Sequence, residues 1–216
     1  MVFMKLFVWD FHGTLEKGNE RGVIALSNEA LARRGFTERF SGEHITQLYG
    51  KKLYEYFAHL LPHESPATHL RLQQDCIALH YERLDIVMGH IAQNDHAMEV
   101  LEAVGKRHDQ ILISNTAPVH LAEFLDMVRL RRFFPQGKYF GADAHHPDAQ
   151  SSKQEIAERY IAGKKFEKIV SVGDSAGDLI VADNSATYLY AHPENPHREC
   201  AADYKIRDLR EVLREI

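Results

Sequence analysis

Cysteine is scarce in this 216-residue chain, which has only Cys76 and Cys200. The two are far apart and form no Cys-x-x-Cys spacing, which excludes a disulfide framework and a cysteine-based zinc site. Also missing is any apolar run approaching the roughly 20 residues that cross a bilayer. The chain opens directly in a strand pattern without the features of a signal peptide, so a cytoplasmic protein with no membrane partner is expected. There is no internal repeat and no low-complexity segment. Charge of positive sign is not concentrated either: the net charge is -5. The one notable basic cluster, Arg129, Arg131 and Arg132, reads as a solvated helix end, so no nucleic-acid partner is expected. What the chain does have is an ordinary globular composition, 44% hydrophobic and 26% charged, and length enough for one domain carrying a sizeable insertion. Its 14 histidines lack the i, i+4 Glu-containing spacing of a metalloprotease helix and read as surface residues, with His145-His146 as the single adjacent pair.

The most informative stretch is Leu6 to Leu15. Leu6-Phe7-Val8-Trp9 is an apolar run of strand length that meets a carboxylate, Asp10, and then a Gly13-Thr14 turn. In an open α/β sheet, ligands bind outside the carboxyl ends of the strands, which puts Asp10 at the mouth of a site.

After a polar loop over residues 16–22, the chain reads as helical. Residues 23–34 carry Ala25, Leu26, Ala30 and Leu31 near one face, with Gly35 as a stop. A second helical stretch runs from about Glu43, breaks near Gly50 and continues to Pro62. A third starts near Ser65-Pro66 and carries Leu70, Ile77, Tyr81 and Leu84 at helical spacing. Tyr49, Tyr54, Tyr56, Phe57 and Tyr81 are expected to form the small core of this block. An all-helical block between a strand motif and later α/β alternation implies an insertion: residues 16–90 within a core of 1–15 and 91–216.

From Ala92 helices and strands alternate. A helix over 95–107 precedes a buried strand, Gln110 to Ile113, that ends at Ser114-Asn115-Thr116. A helix from Pro118, a short strand over 138–141 and a polar loop through His145 to Asp148 follow. Ser151 or Ser152 caps a helix from Lys153 to Ala162. Lys168 to Val172 forms a strand ending at Gly173-Asp174-Ser175-Ala176-Gly177-Asp178. A helix from Leu179 to Ala186, a strand near Tyr188 to Tyr190 and a terminal helix capped by Asp208 complete the chain. The fold class expected is α/β, a doubly wound parallel sheet with an inserted α-helical unit.

Three strand ends then present polar groups on one sheet edge: Asp10 with His12, Ser114 with Asn115, and Asp174 with Asp178. A helix N-terminus carrying Lys153 can join them. Carboxylates are the hard oxygen ligands that Mg2+ prefers. A metal and Lys153 would offset the charge of a phosphate approaching Asp10, and Ser114 with nearby backbone N–H groups would hold its oxygens. Attack by Asp10 on phosphorus would divide hydrolysis into two easier steps.

The order D-x-x-G-T-L, Ser114, Lys153 and Gly173-Asp174-Ser175-Ala176-Gly177-Asp178 resembles the four motifs of the haloacid dehalogenase (HAD) superfamily, over nearly the whole chain. Within it, the chain resembles the phosphoglycolate-phosphatase-like branch with a helical cap. The resemblance implies a HAD-like Rossmannoid core and a cap domain over 16–90. It also implies a Mg2+-dependent phosphatase for a small phosphorylated metabolite, with Asp10 as nucleophile. Metal would be bound by Asp10, the backbone carbonyl of His12, Asp174 and Asp178, and phosphate by Ser114, Asn115 and Lys153. The chain departs from the pattern at two places. The loop before Lys153 lacks the usual Gly-Lys-Pro, and His12 stands where family phosphatases have a second Asp as general acid and base. Imidazole can also do that work, typically contributing roughly 10²–10⁴ in rate.

Two other readings follow from the same residues. A phosphonatase-like carbon–phosphorus hydrolase also lacks Asp at the position of His12 and uses a cap lysine, for which Lys51 or Lys52 would serve. A catalytically inactive phosphate-binding protein would keep the fold and lose turnover at His12.

Overall fold

The structure, a computed structural model, describes residues 4–48, 51–142, 151–191 and 200–216. The loop through His145 to Asp148 and the Tyr49–Gly50 break lie outside the described residues. By its contacts the chain divides into two compact units, Met1–Lys17 with Gln93–Ile216, and Gly18–Ala92. Among the described residues no helix is long and apolar enough to cross a membrane.

In chain order the elements are β1 (Leu6–Trp9), β2 (Glu16–Lys17), α1 (Asn19–Arg33), α2 (Gly42–Leu48), α3 (Leu53–Leu60), α4 (Pro66–Glu82) and α5 (Leu84–His90). After them come β3 (Ala92–Gln93), α6 (Ala97–Gly105), β4 (Asp109–Ser114), α7 (Pro118–Met127), β5 (Tyr139–Gly141), α8 (Lys153–Ile161), β6 (Ile169–Gly173), β7 (Ser185–Tyr190) and β8 (Tyr204–Ile206). Strands β5-β4-β1-β6-β7-β8 form one sheet in that spatial order, with every neighbouring pair parallel. Strand β2 pairs with β3 in a separate two-stranded sheet.

The central strands are apolar on both faces because helices cover a parallel sheet on both sides. Side chains alternate across β1: Leu6 and Val8 join Ile111, Ile113, Ile169 and the Ile156-Ala157 face of α8 in one cluster. Phe7 and Trp9 stack at 6.0 Å and are fully buried. Burial of a large apolar side chain stabilises by roughly 1.5–3 kcal/mol, which makes β1 the axis of the unit. Helix α8 begins where Ser152 caps it: the hydroxyl accepts from Glu155 N at 3.2 Å and the Glu155 carboxylate accepts from Ser152 N at 2.7 Å. This reciprocal box satisfies two orphan N–H groups.

The expected helix from Leu179 to Ala186 is absent. A 3₁₀ turn over Ala176–Asp178 leads into β7 instead, because side chains capture the backbone N–H groups a helix would use. Ile180 N donates to Ser171 Oγ, Val181 N to Gln154 Oε1 and Ala182 N to Ser185 Oγ. The terminal helix is a 3₁₀ helix over Leu209–Glu215, with Asp208 accepting from Arg210 N. Strand β8 was not expected; only its last residue is buried, so it carries little apolar signal.

In the helical unit, α1 packs against α4 and α5, and α3 against α4. Helix α1 starts four residues earlier than the apolar spacing suggests, which shortens the expected loop, and Gly35 takes φ +79° just beyond its end. The buried stripe of α4 is His69, Leu72, Cys76 and Leu79. Leu70, Ile77, Tyr81 and Leu84 are exposed, as is Tyr54, while Tyr56 and Phe57 are buried. The expected aromatic core is therefore corrected for Tyr54 and Tyr81: among the described residues it holds Tyr56 and Phe57 with Phe40, whose ring lies 5.8 Å from that of Phe57, and Tyr49 lies outside the described residues.

Candidate active site

Register places the polar groups. Trp9 lies opposite both Leu112 and Val172, so Asp10 is level with Ile113 and Gly173, and Ser114 and Asp174 stand one residue further out. All three groups sit at the carboxyl end of the sheet, the edge where ligands bind in open α/β folds.

Two local devices bring in more groups. The first residue of α8 is Lys153, whose Nζ donates to Asp10 Oδ1 and Asp178 Oδ1, each at 2.5 Å. The 3₁₀ turn after β6 folds Asp178 back, and its Oδ2 accepts from Ser175 N at 2.8 Å and Ser175 Oγ at 2.6 Å. This return requires Gly173: a Cβ there would lie 2.1 Å from Asp178 Cβ. Thr14 Oγ1 donates to Asp10 Oδ2 at 3.1 Å.

The carboxylates of Asp10, Asp174 and Asp178 offer oxygens within 4.8 Å of one another, and all three residues are buried. Burial, and then the charge of Asp178, push the Asp10 carboxyl up to about 6, against the opposing pull of Lys153. Burial likewise acts to raise Asp178, but the ammonium of Lys153 and the Ser175 donors outweigh it and hold that carboxyl below its ordinary value. Burial would lower the Lys153 ammonium; the two carboxylates overcome this and raise it. The Lys153 ammonium thus bridges two of the three clustered carboxylates, Asp10 and Asp178, with Asp174 beside them, and in low dielectric such a cluster is held only where its charges are matched. A hard divalent cation fits this donor set of three converging carboxylates, all oxygen.

Residues Phe11 to Glu16 form a tight loop. Phe11 O accepts from the N–H groups of Thr14, Leu15 and Glu16, and Gly13 N donates to Glu16 O at 2.9 Å, with Gly13 at φ +78°. A non-glycine residue seldom takes that φ. His12 stands within this loop, its ring 4.9 Å from those of both Phe11 and Phe124, and its Nδ1 lies 2.7 Å from Glu16 Oε2.

Of the residues singled out from sequence, Asp10, Lys153, Asp174 and Asp178 are brought into one buried cluster. Ser114 lies at the same sheet end, its Oγ donating to Thr116 Oγ1 at 3.1 Å, and Asn115 is exposed. Lys51 and Lys52 are exposed in the helical unit, where Lys52 N donates to the Glu55 carboxylate at the start of α3. Sequence reasoning missed Thr14, Ser175 and Glu16 as members of the site. Thr14 and Glu16 each lie four residues after the group they contact, a spacing that a tight loop makes close. Ser175 needs the return of Asp178, which no local pattern announces.

The family model of haloacid dehalogenase-like hydrolases matches residues 4–185. The chain belongs to that family. Among solved structures, a predicted phosphoglycolate phosphatase from Haemophilus somnus superposes with a TM-score of 0.76 at 16% identity, covering 98% of this chain and 97% of that one. A HAD-superfamily hydrolase of subfamily IA from Geobacter sulfurreducens gives 0.71 at 17% identity, covering 98% and 96%. A HAD family hydrolase from Deinococcus radiodurans, with bound phosphate and sodium, gives 0.62 at 17% identity, covering 100% and 97%. At these identities the likeness is one of fold. No curated protein matches significantly.

Proposed function

We infer that the protein is a Mg2+-dependent phosphatase acting on a small phosphomonoester, with Asp10 as nucleophile and residues 16–90 as a cap that selects the substrate. The observation that carries this reading is the buried cluster in which Lys153 bridges Asp10 and Asp178 at 2.5 Å beside Asp174. The phosphate bound in the similarly folded Deinococcus hydrolase supports the choice of ligand class. Asp10, the backbone carbonyl of His12, Asp174 and Asp178 are the groups that would hold the metal. When bound, Mg2+ would supply positive charge against the phosphoryl oxygens.

The chain's own groups account for the remaining chemistry. Lys153 would balance phosphate charge, and Ser114 and Asn115 would hold phosphoryl oxygens beyond β4. A carboxylate oxygen of Asp10 attacks phosphorus as the bond from phosphorus to the ester oxygen breaks, giving an aspartyl phosphate. His12 gives a proton to the leaving oxygen. It then takes one from the water that attacks the aspartyl phosphate, which releases phosphate and restores the carboxylate.

The test is hydrolysis of a panel of phosphomonoesters with Mg2+ and with chelator, by the parent and by Asp10→Asn. Metal-dependent turnover that falls on the order of 10⁴-fold or more in the variant is expected, since removing a nucleophile abolishes the covalent route. Turnover unchanged in Asp10→Asn, or none by the parent across the panel, sinks the reading.

A further inference from the structure

We propose that Glu16 is a positioning residue that fixes the orientation and tautomer of His12; this rests on the acid–base reading of His12 given above. The starting observation is the burial. Glu16 is 0% exposed, and glutamate is almost never fully buried unless something holds it there, since desolvating a carboxylate costs several kcal/mol. Its Oε2 lies 2.7 Å from His12 Nδ1. The loop is built to deliver this contact. Three N–H groups converge on Phe11 O, Gly13 reverses the chain, and a bridge joins the backbones of His12 and Glu16.

An ionised Glu16 carboxylate can only accept, and in that pairing Nδ1 carries the hydrogen. The neutral ring of that tautomer bears its lone pair at Nε2, the nitrogen that would exchange the proton. Rings of Phe11 and Phe124 meet the imidazole edge-to-face at 66° and 89°, and together with the hydrogen bond they restrict how the ring can turn. The physical need is particular to histidine. A carboxylate at position 12 has two equivalent oxygens and no tautomer to select, whereas an imidazole turned or protonated the wrong way presents no usable base. Placing His at position 12 therefore calls for an orienting acceptor, and Glu16 is that acceptor. The same logic governs histidines whose second ring nitrogen is held by a carboxylate in metal sites and catalytic triads.

Two measurements test this. The first is steady-state hydrolysis of p-nitrophenyl phosphate with Mg2+ by the parent, Glu16→Ala, Glu16→Gln, His12→Ala and the Glu16→Ala/His12→Ala double variant. Glu16→Ala is expected to lower kcat about 10- to 100-fold, with KM within about twofold and partial rescue in Glu16→Gln, whose amide oxygen still accepts. The loss should disappear in the double variant, because the target of positioning is gone. The second is ¹⁵N NMR of histidine-labelled protein, with the His12 signals identified by their loss in His12→Ala. The parent should show hydrogen on Nδ1 and a bare Nε2, and Glu16→Ala a mixture of tautomers; this readout needs no turnover.

If His12→Ala matches the parent in kcat, the acid–base reading fails while the NMR still decides whether Glu16 sets the tautomer. If His12→Ala is slow but Glu16→Ala matches the parent, or costs the same in both backgrounds, positioning is refuted. A bare Nδ1 in the parent refutes it as well.

Discussion

Lys153 and Arg34 each hold carboxylates at hydrogen-bond distance, yet their surroundings differ. Lys153 sits between Asp10 and Asp178 with 5% of its side chain exposed. Arg34 grips Asp75 with two hydrogen bonds, at 2.6 and 2.9 Å, and its side chain is 42% exposed. The geometry of the surface pair is the more regular, a two-pronged fork on one carboxylate. Water nevertheless screens it, whereas the buried pair has only protein groups to balance it. What separates the sheet unit from the helical unit is therefore where their charges sit. Besides surface pairs such as Arg132 with Glu102, the sheet unit buries Lys153 with Asp10 and Asp178 at its strand ends, whereas the ion pairs among the described residues of the helical unit, such as Arg33 with Glu82, lie at the surface.

Three substitutions press on this contrast, in falling order of effect. Lys153→Ala strands two facing carboxylates, and in metal-free buffer it should destabilise the protein by about 3–5 kcal/mol in urea unfolding. A loss under about 1 kcal/mol would mean that water replaces the ammonium at no cost and the buried cluster is effectively solvated.

The intermediate case is Glu215, 6% exposed at the end of the chain, whose carboxylate accepts from Lys168 Nζ at 2.9 Å and Tyr188 Oη at 2.9 Å. Burial alone would raise its carboxyl, but the Lys168 and Tyr188 donors and the Lys168 charge hold it below the ordinary 4.5. A depressed carboxyl stabilises the fold above its unfolded value, and that stability is lost as pH falls through the folded value. Glu215→Gln should cost about 1–3 kcal/mol at neutral pH, and its stability should fall less steeply than the parent's as pH drops below about 4.5. Parallel acid-side curves for the two proteins would rule out this linkage.

Arg34→Ala should change stability by no more than about 1 kcal/mol, with a smaller difference at high salt. A salt-insensitive loss above about 2 kcal/mol would erase the distinction between the two units.

The same contrast explains what could be read from the residues in order. Strand β1, Asp10 and the Asp174 end of β6 were legible because a short apolar run closed by a carboxylate is a local pattern, and a parallel sheet aligns such ends. Lys153 was legible through its cap, since a serine at 151 or 152 marks where a helix from Lys153 begins. The helical unit was misread in detail because α4 carries two apolar stripes. Leu70, Ile77 and Tyr81 repeat with helical spacing as well as Leu72, Cys76 and Leu79 do, and only packing chooses the second. The helix over 179–186 failed for a different reason: Ser171, Gln154 and Ser185 take its N–H groups, and two of these come from other elements. Glu16 looked like the start of a polar loop because its burial depends on a turn four residues long that brings it back onto His12.

Gly18, where the helical unit begins, has φ +99°, and a Cβ there would lie 2.0 Å from the carbonyl oxygen of His90, near where that unit ends. The entry and exit of this 75-residue excursion are thus in backbone contact, so to the strands that flank it the whole excursion is equivalent to a tight turn. Closing such a gap costs little more for a long segment than for a short one, because the entropy grows only with the logarithm of length. A glycine at this pinch is what lets the two ends of the excursion meet so closely, since any side chain there would run into the His90 carbonyl.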